Sequence, residues 1–78
     1  MKTWGMMYGD TKISVENRVS TTKLMVDDKV VDQYEGLSPP AVLNCHLKNG
    51  EIVTAVVCSS SFKGRCVIVM DGKIVYNA

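Results

Sequence analysis

The residues of this chain whose types could do chemistry are one histidine and three cysteines, His46, Cys45, Cys58 and Cys66. His46 is the only histidine, so it is the only side chain that exchanges protons near neutrality without a large pKa shift. Zinc would need His46 and at least two thiolates converging on one point. Cys45 and His46 are adjacent, so on a strand they point to opposite faces, and no Cys-x-x-Cys pair is present. The spacing therefore predicts no metal site, and His46 reads as a structural histidine.

Nucleophilic catalysis would need a serine or cysteine beside His46 and an acid, and no nucleophile-elbow motif offers such a serine. The acids Asp10, Glu16, Asp27, Asp28, Asp32, Glu35, Glu51 and Asp71 fall at turns or on the polar side of alternating segments. Those positions serve turn chemistry and solubility rather than a carboxyl of raised pKa. Gly64 and Gly72 are isolated, so no glycine-rich loop cradles a phosphate. The expectation is a protein with no catalytic residues and no cofactor.

Binding is the other class of chemistry. Phe62, the sole phenylalanine, sits between Ser61 and Lys63 with Arg65 close behind. An aromatic on a loop beside cations can anchor a protein partner, or it can fold back and cap the open end of a β-sandwich. Both readings of Phe62, Lys63 and Arg65 stand at this point. A rival reading is a small-ligand pocket between sheets, lined by groups such as Trp4 and His46.

The formal net charge is +1, Lys and Arg form no run, and aromatic residues make up 6% of the chain. Neither an electrostatic groove nor a stacking platform for nucleic acid follows from that. No stretch approaches the ~20 apolar residues of a membrane-spanning helix. The N-terminal segment lacks the continuous apolar run of a secretion signal, which leads to the expectation of a cytoplasmic protein. An odd cysteine count with irregular spacing forms no disulfide framework, so the thiols are expected to be free and to pack as small hydrophobes.

The elements that must position these residues are strands. Apolar residues are 46% of the chain and valine-rich, and period-two alternation runs through nearly all of it. Trp4, Met6 and Tyr8 alternate in one short strand; Ile13, Val15 and Val19 project from a second, where Asn17 interrupts the apolar side and suggests a bulge. Residues 24–31 are echoed by residues 68–75, with Asp, Lys and Val at matching places (Asp27/Asp71, Lys29/Lys73, Val31/Val75). Each copy reads as a β-hairpin turning on Asp-Asp or Asp-Gly. In the first copy Val26 should oppose Lys29, Met25 oppose Val30, and Leu24 oppose Val31.

Asn49-Gly50 predicts a third hairpin between 41–48 and 51–59. A two-residue turn there pairs Leu47 with Ile52, Cys45 with Thr54 and Leu43 with Val56, and puts His46 opposite Val53. The second run is apolar on both faces, as expected of a mid-sheet strand covered on each side. The fold expected is all-β, a small antiparallel β-sandwich or partly open barrel of roughly seven to eight short strands. One domain spans 1–78, its halves 1–35 and 41–78 joined by a link containing Pro39 and Pro40. Exposed sheet edges in so small a domain point to a homo-oligomer, the expected homodimer covering one of them.

Residues 12–17 and the 23–31 hairpin resemble the Fas apoptotic inhibitory molecule family, whose repeated segments run from an extended strand into an aliphatic run ending in Val-Asp-Gly-Lys. The counterparts are Val26-Asp27-Asp28-Lys29 and Met70-Asp71-Gly72-Lys73, with Asp28 in place of the usual glycine. The resemblance implies a compact antiparallel β-sandwich without enzymatic activity. Residues 43–50 are similar to the strand-turn-strand opening of Sm-like RNA-binding proteins, though the RNA-contacting motifs expected downstream are missing.

Overall fold

The computed structural model describes residues 2–36, 40–59 and 64–78. They form eight antiparallel strands: β1 (Lys2–Tyr8), β2 (Thr11–Asn17), β3 (Thr21–Val26), β4 (Lys29–Glu35), β5 (Ala41–His46), β6 (Ile52–Ser59), β7 (Gly64–Met70) and β8 (Lys73–Asn77). The first four make one meander in chain order and the last four another, so the all-β sandwich expected from the alternation is what forms. Among the described residues no helix is long and apolar enough to cross a membrane.

The two meanders share one hydrophobic core, and its rows repeat. In the first sheet Trp4, Val15 and Leu24 lie side by side, and Met6, Ile13 and Val26 form the next row. In the second sheet Leu43, Ala55 and Ile68 correspond to the first row, and Cys45, Val53 and Met70 to the next. The duplication visible in the two hairpins thus extends through all four strands of each half. Side-chain volumes vary between the copies, because the facing rows must interdigitate rather than match. Trp4 is the largest of them, and the space for its ring comes from Gly64, where an added Cβ would lie 3.2 Å from the indole.

Both duplicated hairpins carry the same irregularity. The register shifts between Leu24 and Met25 in one and between Ile68 and Val69 in the other. Val26–Lys29 and Met25–Val30 pair as expected, but Leu24 meets Asp32 rather than Val31. Val31 is the extra residue of a β-bulge, and Val75 is its counterpart. A bulge raises the local twist and so wraps each outer strand around the core.

The turns also match. Asp27 and Asp28 have φ of 50° and 66°, Asp71 and Gly72 of 48° and 83°, which is the positive-φ pair of a type I′ turn. Each leading aspartate does a second job. The Lys12 amide donates to the Asp27 carboxylate at 3.0 Å, and the Ile52 amide to that of Asp71 at 2.9 Å. In return, the Asp27 and Asp71 amides donate to the carbonyls of Lys12 and Ile52. Each turn is thereby tied to the neighbouring strand of its own sheet.

Three expectations are corrected. Val19 is 88% exposed in the β2–β3 connection and is no part of the core face. Asn17 causes no bulge: it pairs with Thr22, and its side-chain amide donates to the Thr22 hydroxyl at 3.1 Å, which satisfies both polar groups in place. The β5–β6 hairpin is shifted by one residue, so Cys45 opposes Val53, Leu43 opposes Ala55, and His46 opposes Ile52. The Gly50 amide donates to the Leu47 carbonyl, and Gly50 alone in this loop has positive φ, at 90°. That is a three-residue loop closed by a glycine bulge, not a two-residue turn. Asn49 stays out of the left-handed region, its side-chain oxygen accepting the Glu51 amide. A slip of one residue exchanges the faces of a whole strand. Here it sends Leu43 and Cys45 inward and His46 outward.

The sheets meet closely where β4 lies beside β5. There the Asp32 carboxylate accepts the Asn44 amide at 2.8 Å, occupying a donor that an edge strand would otherwise expose.

Candidate functional site

The structure separates the sequence-predicted site residues. Trp4 is a core residue, 5% exposed, with the Lys2 ammonium 5.4 Å above its ring. His46 is exposed on the other side of its sheet from the core, so the two do not line a common pocket between the sheets. Arg65 is exposed on β7, across from Cys58, with its guanidinium 3.5 Å from the Asn77 side chain. Phe62 and Lys63 lie outside the described residues, as does the loop expected to present them.

The thiols differ sharply in environment. Cys66 is fully buried in the core, Cys45 is half-buried, and Cys58 is exposed, which corrects the expectation that all three pack as buried hydrophobes. All three are free. Burial pushes the Cys66 thiol up to about 11 from an ordinary 9.0. Burial, helped by the nearby Asp32 carboxylate, raises Cys45 as well. Both therefore persist as neutral thiols at neutral pH, and neither is set up as a nucleophile. Among the described residues, no three His, Cys, Asp or Glu side chains converge to hold a metal.

These shifts carry a pH prediction. The folded Cys66 value lies above the unfolded one, so its stabilising contribution is complete below pH 9 and is lost as pH rises towards 11. The Tyr8 phenol moves the same way, chiefly because ionisation would break its 2.8 Å bond to the Glu51 carboxylate. Chemical denaturation across this range should show stability falling steadily. Alkylation at neutral pH, read by mass spectrometry, should modify Cys58 first, Cys45 more slowly and Cys66 only on unfolding.

Two surfaces have the shape and chemistry to bind. One is a cleft of ≈ 750 Å³ at the end of the sandwich where the hairpin turns gather. Val26 and Val31 of the first sheet and Cys45 and Leu47 of the second form its apolar part, and Lys29, Lys48, His46 and Asp10 stand among its lining. Tyr8 also lines it, held by the bond to Glu51 from the other sheet.

The other surface is the outward face of the second sheet. Val42, Val56 and Val67 lie in one row across β5, β6 and β7, and Val69 and Ile74 continue in the next across β7 and β8. Val42 is 48% exposed, Ile52 44% and Ile74 65%. Neither row contains a charged residue, since Asn77 completes the first and Asn44 and Thr54 complete the second. The first sheet is different: its outward face carries Lys12, Glu16, Lys23, Gln33 and Glu35 among its strands. The signal for the apolar face was present in the sequence of β6, apolar on both sides. Its extension onto Val67, Val69 and Ile74 depends on which of those residues turn outward, and that requires the register.

Comparison of the chain with models of known families, with curated proteins and with solved structures gives no match in any of the three.

Proposed function

We propose that this chain is a non-enzymatic β-domain that works by self-association, forming a homodimer through the outward face of its second sheet. The observation that carries this reading is the uncharged aliphatic surface of Val42, Ile52, Val56, Val67, Val69 and Ile74. A strand such as β6, apolar on both faces, is the pattern of a sheet covered twice. The core covers one side, and a second copy covers the other.

A second copy fits better than an unrelated partner for a reason of charge. A twofold interface brings a surface against itself, so any charge near its centre faces its own like. This face has none there, and its cation Arg65 lies at the margin opposite Cys58. Four strands ~4.8 Å apart and five or six residues rising ~3.4 Å each give a patch roughly 17 Å on a side. Two such patches stacked cover roughly 600 Å² in all, below the size of standard specific interfaces. The expected dimer is therefore weak and concentration-dependent.

Sedimentation equilibrium should show a monomer–dimer equilibrium for the wild-type chain in the range of roughly 1–100 µM. Ile74→Lys and Val67→Lys place a charge on the face and should leave only monomer, while circular dichroism still reports the β-fold. Cys58 lies on the same face and gives an independent readout: its alkylation should slow as the dimer fills and stay fast in Ile74→Lys. A wild-type chain that remains monomeric throughout, with Cys58 reacting at one rate, would sink the proposal.

A further inference from the structure

We propose that β1 is a docking edge for an extended segment of another protein. The segment joins the first sheet as an antiparallel strand and lays a large aromatic side chain over Gly5. The inference goes beyond self-association, since it concerns the free edge of the first sheet and not the outward face of the second.

An outermost strand presents unpaired backbone groups, and three of the four such edges here are blunted. β4 and β8 carry the bulges at Val31 and Val75. β5 lies beside β4, and its Asn44 amide is taken by the Asp32 carboxylate. β1 has no such device. It pairs with β2 in unbroken register from Lys2 to Tyr8, contains no proline, and carries its one charge at the end. Among the described residues no strand pairs with its other side. The direction of its backbone groups follows from β2. Lys12 exchanges bonds with Asp27, so its amide and carbonyl turn towards β3. Its cross-strand partner Met7 therefore points its own amide and carbonyl away from β2, and alternation gives Gly5 and Thr3 the same direction. These residues form a regular row of donors and acceptors along the edge.

Gly5 indicates what the edge receives. Glycine inside a strand weakens it, and the usual structural reasons for one are missing. Gly5 is not among the residues of positive φ, no bulge lies beside it, and an added Cβ would meet nothing closer than 3.9 Å. The fold thus has room for a side chain at this position and does without one. The remaining reason is close approach by another chain. A large aromatic on a neighbouring strand lies across an edge glycine and covers the backbone left bare there. A second copy of β1 is the poorer occupant, because antiparallel pairing about its centre sets Gly5 against Gly5.

The flanking residues extend the recognition. Met6 and Tyr8 are half-buried at the border of the core, so a strand with aliphatic residues on that side covers them. The exposed Lys2 holds its ammonium 5.4 Å above the Trp4 ring and takes part in neither of the ion pairs Lys12–Asp28 and Arg18–Glu16. A carboxylate suits the position opposite it.

The test uses the full chain, labelled with ¹⁵N, and the end-blocked peptide Thr-Val-Tyr-Val-Thr-Glu, whose tyrosine opposes Gly5 and whose glutamate opposes Lys2. The peptide should shift the amides of Thr3, Gly5 and Met7 saturably, with a Kd of roughly 0.1–5 mM, and slow their hydrogen exchange. N-methylating the tyrosine, or replacing it by glycine, should weaken binding about tenfold, and lysine in place of glutamate about threefold. Gly5→Pro removes the central free donor at an edge where the sheet itself makes no bond, and Thr3→Pro does so nearer the end. Each should abolish the response while circular dichroism keeps the β-fold. Gly5→Ala should raise the urea midpoint of the free protein, since the fold makes no use of the glycine. A lowered midpoint, an N-methylated peptide that binds as well as its parent, or no saturable response at Thr3, Gly5 and Met7 overturns the proposal. So does a response confined to Val42, Val67 and Ile74. Sedimentation reads the dimer separately: a monomer that binds the peptide at β1 loses only the dimer, and a dimer that ignores the peptide loses only this inference.

Discussion

Leu24→Ala and Ile68→Ala should each destabilise the fold by about 3 kcal/mol, and by similar amounts. Both residues are fully buried and sit at the same place in the two meanders, beside Val15 and Ala55 and just before the bulge. Truncation removes three methyl or methylene groups from each site and leaves a cavity whose walls are strands tied on both sides. Such walls relax little, so the cavity contribution adds to the lost transfer energy. A domain of this length has a total stability of roughly 4–10 kcal/mol. Either variant should therefore unfold at much lower urea, and the double variant should fail to fold at room temperature. Ile74→Ala, on the outward face, should shift the midpoint of the isolated monomer only slightly. A loss below about 1 kcal/mol at either core site would mean that the rows do not meet as described.

The turn aspartates should give the second largest effect. Asp27→Ala and Asp71→Ala each lose the bond from a neighbouring strand amide, about 1 kcal/mol, and each puts alanine at positive φ, which costs about another 1 kcal/mol. About 2 kcal/mol is expected from each, measured by denaturant unfolding. Asp28→Gly should go the other way. Asp28 holds φ at 66°, and its pairing with Lys12 is an exposed ion pair of small net value. Glycine relieves the backbone, as it does at the equivalent Gly72 with φ of 83°, so a gain of roughly 0.5 kcal/mol is expected. Opposite signs at neighbouring residues of one turn separate backbone strain from lost hydrogen bonds.

What was written in the sequence, and what was not, divides along a physical line. Strand, turn and pairing partner are local properties in this chain. Alternation with period two, Asp-Asp and Asp-Gly at the duplicated turns, and the break at Pro39 and Pro40 were sufficient for an all-β sandwich with two matching hairpins. The pairs nearest the first duplicated turn, Val26 with Lys29 and Met25 with Val30, followed from turn geometry alone. The reading of the strand pairing failed at two points. Nothing local in residues 24–32 announces a bulge, because the extra residue at Val31 is favoured by the curvature needed to close around the core. Asn49-Gly50 fits a two-residue turn and a three-residue loop equally well; the inward placement of Leu43 and Cys45 beside Val53 and Ala55 decides between them.

The binding surfaces show the same division. That β6 is apolar on both sides could be read directly. Which residues of β7 and β8 join Val42, Ile52 and Val56 outside could not, since a one-residue slip reverses every side chain of a strand. His46 was singled out by its chemistry and placed opposite Val53, and the actual register pairs it with Ile52 and leaves it exposed. Trp4 was grouped with it as an aromatic pocket wall, and the room left by Gly64 takes its ring into the core instead. The end cleft had no local signal at all, because Val31, Leu47, Lys29 and Lys48 come from different sheets and meet only when the two meanders stack. By itself the sequence determined the elements and their turns, through backbone preferences acting over a few residues. Only the tertiary structure decided which faces are covered and which are left open, because that depends on register and stacking summed over the whole core.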